Sequence, residues 1–329
     1  VAEMKTIIYA GAELPPILRV MSKAYSLSDV IIIANNIHDY YLSGLKIMHE
    51  TDSAILLLSK LKEGMDSYTL QSILEKFGAK TSIPTSDAKI GITFYREGKL
   101  KNNQDLVSIH RDLCKALQLK TNVIPFTDRE VRATVKTGEG EISLLEYFTA
   151  KKEFNVKKLE LEGIEKIKPF DQVVKIIKDS ESILIIPNDP VSIMPIIKNK
   201  NIQEAIENCQ GHVTVICPSL TKKSTLLLET LGIEPTPLGV AKTFEEHIDT
   251  FLIDRNYQAL KPQIELLKME VVATDLYETE AEYGNAIPKP IQEHFQLETK
   301  APPVITGLKK GVQKIGKILG APEKTKEQE

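Results

Sequence analysis

Short, almost unbroken runs of β-branched and aliphatic residues constrain this chain more than any other feature. Thr6-Ile7-Ile8-Tyr9-Ala10 and Val30-Ile31-Ile32-Ile33-Ala34 come first. Ser182-Ile183-Leu184-Ile185-Ile186, Val213-Thr214-Val215-Ile216-Cys217 and Glu270-Val271-Val272-Ala273-Thr274 follow much later. A strand with one wet face alternates polar and apolar residues, whereas a strand covered on both faces does not. Ile17, Leu18 and Met21 mark a helical pattern between the first two runs, and a strand–helix–strand unit implies parallel pairing. Further helical segments are expected around residues 203–208, 225–231 and 263–268. The predicted class is therefore α/β: a Rossmann-like, doubly wound, mainly parallel sheet.

The middle of the chain reads differently. Residues 66–77 and 106–117 have helical patterns, 142–148 and 157–163 look like short strands and turns, and Ser143 with Glu146 fits a capping box. The expected organisation is an α/β core from 1–64 and 161–280, an inserted, mostly helical subdomain over 65–160, and a polar linker with a basic amphipathic tail over 281–329. In the tail, Ile305, Leu308, Val312, Ile315 and Leu319 share one helical face, with Lys309, Lys310, Lys314 and Lys317 around it. Such a helix suits docking on its own domain or a partner subunit, or contact with an anionic membrane surface, while its three glycines leave disorder as the third reading.

The bulk numbers exclude several classes. The formal net charge is -3, Trp is absent and aromatics are 6%, so nucleic acid is not an expected partner. Cys114, Cys209 and Cys217 fit neither a zinc spacing nor a redox pair and are expected to be inert thiols. No run has the roughly 18 apolar residues of a membrane span and no leader pattern opens the chain, so a cytoplasmic location is expected.

In a doubly wound sheet, ligands bind outside the carboxyl ends of the strands, where the strand order reverses. Four loops follow the runs. The first, Gly11-Ala12-Glu13-Leu14-Pro15-Pro16, has one glycine, an acid and two prolines, a poor cradle for phosphate. The second holds Asn35, Asn36, His38 and Asp39, with His49, Glu50 and Asp52 shortly after. This is the densest polar cluster in the chain, suited to acid–base work, to a divalent metal or simply to hydrogen-bonded loop structure. The third, Pro187-Asn188-Asp189-Pro190-Val191-Ser192, suits a ligand or Mg²⁺, or an Asx turn. The fourth carries Ser219, Thr221, Lys222 and Lys223 near a helix start, suited to phosphate or to plain capping. No nucleophile elbow, Walker motif or dinucleotide fingerprint is present.

Several of these stretches resemble the 2-phospho-L-lactate transferase (CofD) family, from about residue 5 to residue 277. Thr127-Asp128-Arg129-Glu130-Val131-Arg132-Ala133-Thr134, followed by Glu146-Tyr147-Phe148, is similar to "TDDPVRT…EYF". The segment Pro187 to Ile196 resembles "PSNPxxSIGPI", Leu42-x-Gly44-Leu45 with Asp52 resembles "LxGL…PDLDT", and Asp66-Ser67-Tyr68 resembles "DTF". The resemblance implies a Rossmann-like sheet with a helical insertion. It also implies transfer of a phospholactyl group from a guanylylated lactate to a deazaflavin alcohol with Mg²⁺, by a protein expected to form a homodimer. Carried onto this sequence, it implies catalytic roles for Asp52 and Asp87 and Mg²⁺ ligation by Asp52 and Asp189. Substrate contacts fall to Gly11, Asn35, Asp39, Asn188 and Ser192, to which the chemistry of the fourth loop adds Lys222 and Lys223.

The departures lie at the loops themselves. The family's "GGTG" is Gly11-Ala12-Glu13-Leu14 here, and "NTGDD" is Asn35-Asn36-Ile37-His38-Asp39. "GDRDLATH" is Ser86-Asp87-Ala88-Lys89-Ile90-Gly91-Ile92-Thr93. A lost phosphate-clamping arginine costs about 2–5 kcal/mol in a buried site. The alternative reading is a catalytically degenerate paralogue that binds a nucleotide or a partner and regulates. An unrelated α/β enzyme is the third.

Overall fold

Alternation along the strands shows how this sequence builds two cores at once. In the first strand, Ile8 and Ala10 belong to one buried cluster, while Ile7 and Tyr9 belong to another on the opposite face. Ile183 and Ile185 divide from Leu184 and Ile186 in the same way. This is the period-two geometry of a strand, applied to a sheet with helices on both faces.

The structure is a computed structural model that describes residues 4–59, 61, 67–80, 82–164, 167–244 and 247–300. Its strands are β1 (Lys5–Ala10), β2 (Val30–Ala34), β3 (Tyr40–Leu42), β4 (Leu45–Ile47), β5 (Asn122–Pro125), β6 (Arg132–Thr137), β7 (Gly140–Ser143), β8 (Val156–Glu162), β9 (Ser182–Pro187), β10 (His212–Ile216), β11 (Thr250–Asp254) and β12 (Glu270–Thr274). Seven of them form the main sheet in the order β12-β11-β10-β9-β1-β2-β5, with every pairing parallel. The expected doubly wound α/β sheet is what the chain forms.

The expected inserted subdomain over 65–160 needs redrawing. Its first half is helical, at Thr69–Lys76, Asp87–Lys101 and Leu106–Ala116. It then supplies β5 to the main sheet beside β2 and, with β8, an antiparallel sheet in the order β7-β6-β8. Four residues, Asn-Val-Ile-Pro, make β5 too short to announce itself. The capping box forms as expected, Ser143 and Glu146 closing the start of the helix Leu144–Thr149.

The stretch read as a polar linker is also partly ordered core. The helix Lys289–Phe295 buries Ile291 and Phe295, and Tyr283, Ile287 and Leu297 join the same cluster. Residues up to Glu298 form one compact unit. The basic amphipathic segment at 304–319, and Asp66 of the "DTF" resemblance, lie outside the described residues. Among the described residues no helix is long and apolar enough to cross a membrane.

Candidate functional site

The strand order reverses at β1, with β2 and β5 on one side and β9 to β12 on the other. The loops after β1 and β9 meet at this switch point. The Asn188 backbone N–H donates to the Ala10 carbonyl at 2.8 Å. A Cβ on Gly11 would lie 2.4 Å from Cβ of Asn188, so the only glycine in the first loop is there for the close approach of two loops. The two sides of this junction are built on different plans.

The β2 side is closed. Ala12, Ile83 and Leu145 pack together there with Tyr40 and Phe148, and beneath them the polar residues engage one another. Asn35 is fully buried; its amide donates to the Ser192 carbonyl and its side-chain oxygen takes the Asn36 N–H at 2.8 Å. Ser192 donates to Asp189 Oδ2 at 2.5 Å, and Asp189 Oδ1 accepts the backbone N–H groups of Val191 and Ser192. Because the hydroxyl proton goes to Asp189, the 2.8 Å contact of Ser192 with His38 Nε2 has the imidazole as donor. His38 Nδ1 is then the bare nitrogen, buried without a hydrogen-bond partner among the described residues. Burial lowers His38 to about 3 and raises Asp189 to about 6.

Acids and cations are interleaved on the same side. Asp39 accepts from the Asn36 amide at 3.1 Å and pairs with Lys46 at 3.2 Å. Burial raises it to about 6 despite that lysine. Glu50, fully buried, accepts N–H groups of Gly11 at 3.4 Å and His38 at 3.2 Å. Burial, then Asp39, holds its carboxyl well above the usual range. Asp52 is also fully buried. Arg96 grips both its oxygens, at 2.7 and 3.1 Å, and the Met48 N–H adds a third bond at 3.2 Å. His49 donates through Nε2 to the Ala12 carbonyl at 2.8 Å, which leaves Nδ1 to accept from Lys89 Nζ at 3.3 Å. Burial brings Lys89 down to about 8, against the pull of Asp52 and Glu50.

The β9–β12 side is open. A cleft of about 1040 Å³ runs along the carboxyl ends of β9, β10, β11 and β12. Asn188, Ser219 and Thr221 lie on its walls, with Arg19 and Arg255. Tyr257 and Tyr277 also line it, and at 39% and 40% exposure their rings remain free to stack on a ligand. Tyr283 holds Tyr277 edge-on at 4.9 Å between centroids. Six acids line the same cleft, Glu13, Asp254, Asp275, Glu278, Glu280 and Glu282. Five are committed: Asp254 to the N–H groups of Asn256 and Leu276, Asp275 to Arg255 at 2.9 Å, Glu278 to the Ser219 hydroxyl, Glu280 to Lys23 and Glu282 to the cap at Thr279. The wall can accept N–H donors and stack on a flat ring, while its arginines and hydroxyls can meet an anion.

The site residues expected from sequence therefore separate. Gly11, Asn35, Asp39, Asn188, Asp189 and Ser192 gather at the switch point, but of these only Asn188 lines the open cleft. Asp87 stands apart at the start of the helix Asp87–Lys101, accepting from Ser67 Oγ at 2.6 Å and Leu70 N at 2.9 Å. Arg96, which holds Asp52, sits roughly 13 Å further along that helix, so the two aspartates serve different structures. Lys222 pairs with Glu153 at 2.6 Å on the surface. Lys223 donates to the carbonyls of Tyr147, Phe148 and Ala150 and so closes the end of the helix Leu144–Thr149.

Asp52 and Asp189, the expected Mg²⁺ ligands, do not fit that role. Every one of their oxygens is taken by a protein donor, and a guanidinium occupies the space in front of Asp52. Among the described residues no group of three or more His, Cys, Asp and Glu side chains could hold a metal ion. The sequence reading missed Lys89, Arg96 and the cleft residues Arg19, Arg255, Tyr257 and Tyr277. The last three follow β11 and β12, so the strand-end rule applied to those loops would have found them.

Comparison with known proteins adds a lineage to this geometry. The sequence profile of the family described as 2-phospho-L-lactate transferase CofD matches residues 8–291. A 2-phospho-L-lactate transferase of Methanosarcina mazei is 21% identical over 303 residues, covering 88% of this chain and 99% of the relative. One from Methanococcus maripaludis is 24% identical over 272 residues, covering 76% and 86%. A crystal structure of a Bacillus halodurans protein matches with a TM-score of 0.55 at 16% identity, covering 83% of this chain and 93% of that one; this likeness is one of fold.

Proposed function

The chain belongs to the 2-phospho-L-lactate transferase CofD family, and from that premise we propose that it is a transferase of phosphorus-containing groups in deazaflavin coenzyme (coenzyme F-420) biosynthesis. The reaction we propose moves a phospholactyl group from a guanylylated lactate to the alcohol of a deazaflavin precursor, in the cytoplasm. The observation that carries this reading is the open cleft at the carboxyl ends of β9 to β12. Its volume suits a nucleotide-sized ligand. A guanine presents N–H donors, which match carboxylate acceptors on the cleft wall such as Glu13 and Glu278, the latter already taking the Ser219 hydroxyl through Oε1 at 2.9 Å. Tyr257 and Tyr277 supply stacking faces for guanine or deazaflavin rings. Arg19 and Arg255 are the cations on the cleft wall that could meet the phosphate, Arg255 in exchange for part of its pairing with Asp275, with Asn188, Ser219 and Thr221 as hydrogen-bonding partners. Since Asp52 and Asp189 do not fit Mg²⁺, no step is routed through a metal there.

Calorimetric titration with GDP, then with the deazaflavin alcohol, tests the reading, followed by an assay for GMP release with guanylylated lactate. Saturable binding of both and release of GMP are the expected results. A folded chain that binds neither would remove the proposal.

One observation favours a second reading. All three carboxylates expected to do metal or acid–base work, Asp52, Asp87 and Asp189, are tied up by protein donors. A regulatory paralogue that holds the nucleotide without turning it over would bind GDP and release no GMP.

A further inference from the structure

The closed side of the switch point contains its own counter-ions. Three acids cluster there, Asp39, Glu50 and Asp52, and three protein cations are set among them. Lys46 Nζ lies 3.2 Å from Asp39 Oδ2. Arg96 Nη1 lies 2.7 Å from Asp52 Oδ1, with both side chains almost wholly buried. Lys89 Nζ reaches in from the helix Asp87–Lys101 to His49 Nδ1 at 3.3 Å, within electrostatic reach of Asp52 and Glu50. We infer that Lys46, Lys89 and Arg96 together take over the charge role of a divalent cation beside these acids, so that this chain folds its switch point, and binds its ligand, independently of divalent metal.

The geometry leaves a metal ion few ligands and an unfavourable field. Asp52 has no free oxygen. Both nitrogens of His49 are used, one toward Ala12 and one toward Lys89. Asp39 shares Oδ2 between Asn36 and Lys46. Its Oδ1 and His38 Nδ1, buried without a hydrogen-bond partner among the described residues, are left, and these two atoms cannot hold an ion by themselves beside the ammonium groups. An incoming ion would have to displace an ammonium or sit against it, and like charges in a poorly solvated pocket repel strongly. Position 89 is also where the resembling "GDRDLATH" motif has an aspartate. The exchange of a carboxylate for an ammonium reverses the local charge and turns a potential metal ligand into a competitor for the same space.

The clause about ligand binding rests on the proposed nucleotide cleft; the clause about the metal does not, and the experiment separates them. The full chain is titrated with Mn²⁺ alone, and free Mn²⁺ is followed by electron paramagnetic resonance. The wild type is expected to show no saturable site below about 1 mM. Lys89→Asp is expected to gain one, at least about tenfold tighter than any wild-type binding. Should Lys89→Asp fail to fold, Lys89→Met, which removes the charge and keeps the stem, is expected to shift Mn²⁺ binding in the same direction by a smaller factor. GDP titration is then run in EDTA and in Mg²⁺, with equal affinities expected. Tight Mn²⁺ binding by the wild type, folded Lys89 variants that leave it unmoved, or GDP binding lost in EDTA would each overturn the inference. Failure of GDP to bind under either condition would remove the nucleotide reading and leave the Mn²⁺ result to decide the rest.

Discussion

The two sides of the switch point use the same strand-end geometry to opposite ends. On the β2 side, Asn35, Glu50, Asp52 and Ser192 are wholly buried, and their polar atoms answer one another across loops far apart in sequence. On the β9–β12 side, Tyr257 and Tyr277 remain exposed, as does the side chain of Arg255, although two of its nitrogens are paired with Asp275. Most polar groups on the closed side are saturated by their neighbours, and most of their interaction free energy goes into fixing the backbone, though His38 Nδ1 and Asp39 Oδ1 find no hydrogen-bond partner among the described residues. Polar groups that stand half in water keep their bonding capacity for a visitor. The richest polar cluster of the sequence is thus chiefly a structural device, and the thinner one is the better candidate for binding.

The largest expected effect breaks the closed side at its centre. Asp52→Ala strands a buried guanidinium and should destabilise the chain by about 3–5 kcal/mol, measured by urea unfolding. The double variant Asp52→Leu, Arg96→Met should recover most of that loss. If the single variant is near neutral, the pair is not the anchor described.

Acidity probes the same side next. Asp39 and Asp189 are raised to about 6 in the folded chain, so the folded state holds more protons than the unfolded one between about pH 4 and 6. Stability from these groups is therefore present at the acidic end and lost as pH rises through that window, by about 3 kcal/mol for a two-unit shift. Asp39→Asn should flatten the fall in unfolding free energy between pH 4 and 6. An unchanged slope would remove Asp39 from the account.

The seam between the two sides gives a smaller effect. Gly11→Ala places a Cβ 2.4 Å from Cβ of Asn188 and should cost about 1–3 kcal/mol by forcing the β1 and β9 loops apart. Because Asn188 also lines the cleft, GDP affinity should fall with stability here and nowhere else on the closed side. On the open side, Arg255→Ala should leave the unfolding midpoint within experimental scatter and weaken GDP about tenfold. A stability loss without an affinity loss would reverse the comparison.

Much of the frame was legible before any coordinates. The β-branched runs gave five of the seven main strands to within about a residue at either end, because burial on both faces leaves an unmistakable pattern. β5 escaped because Asn122–Pro125 is only four residues long. The apolar positions of the helix Lys289–Phe295 were hidden among polar neighbours. At the site, the expected residues gather at the switch point but only Asn188 of them lines the open cleft, and the loops after β11 and β12 were passed over. Asp52 looked like a metal ligand because its partner, Arg96, lies far along the chain on a helix whose apolar pattern is weak. Lys223 looked like a phosphate ligand because nothing in its neighbourhood shows that three carbonyls converge on its ammonium.

Sequence alone determined the fold class, the order of the main elements and the family, since these rest on local periodicity and on motifs in fixed order. Tertiary structure alone decided which polar groups are spent and which are free. That outcome depends on pairings such as Asn35 with Ser192, Asp52 with Arg96 and His49 with Lys89, made between segments that only the packed sheet brings within hydrogen-bonding distance.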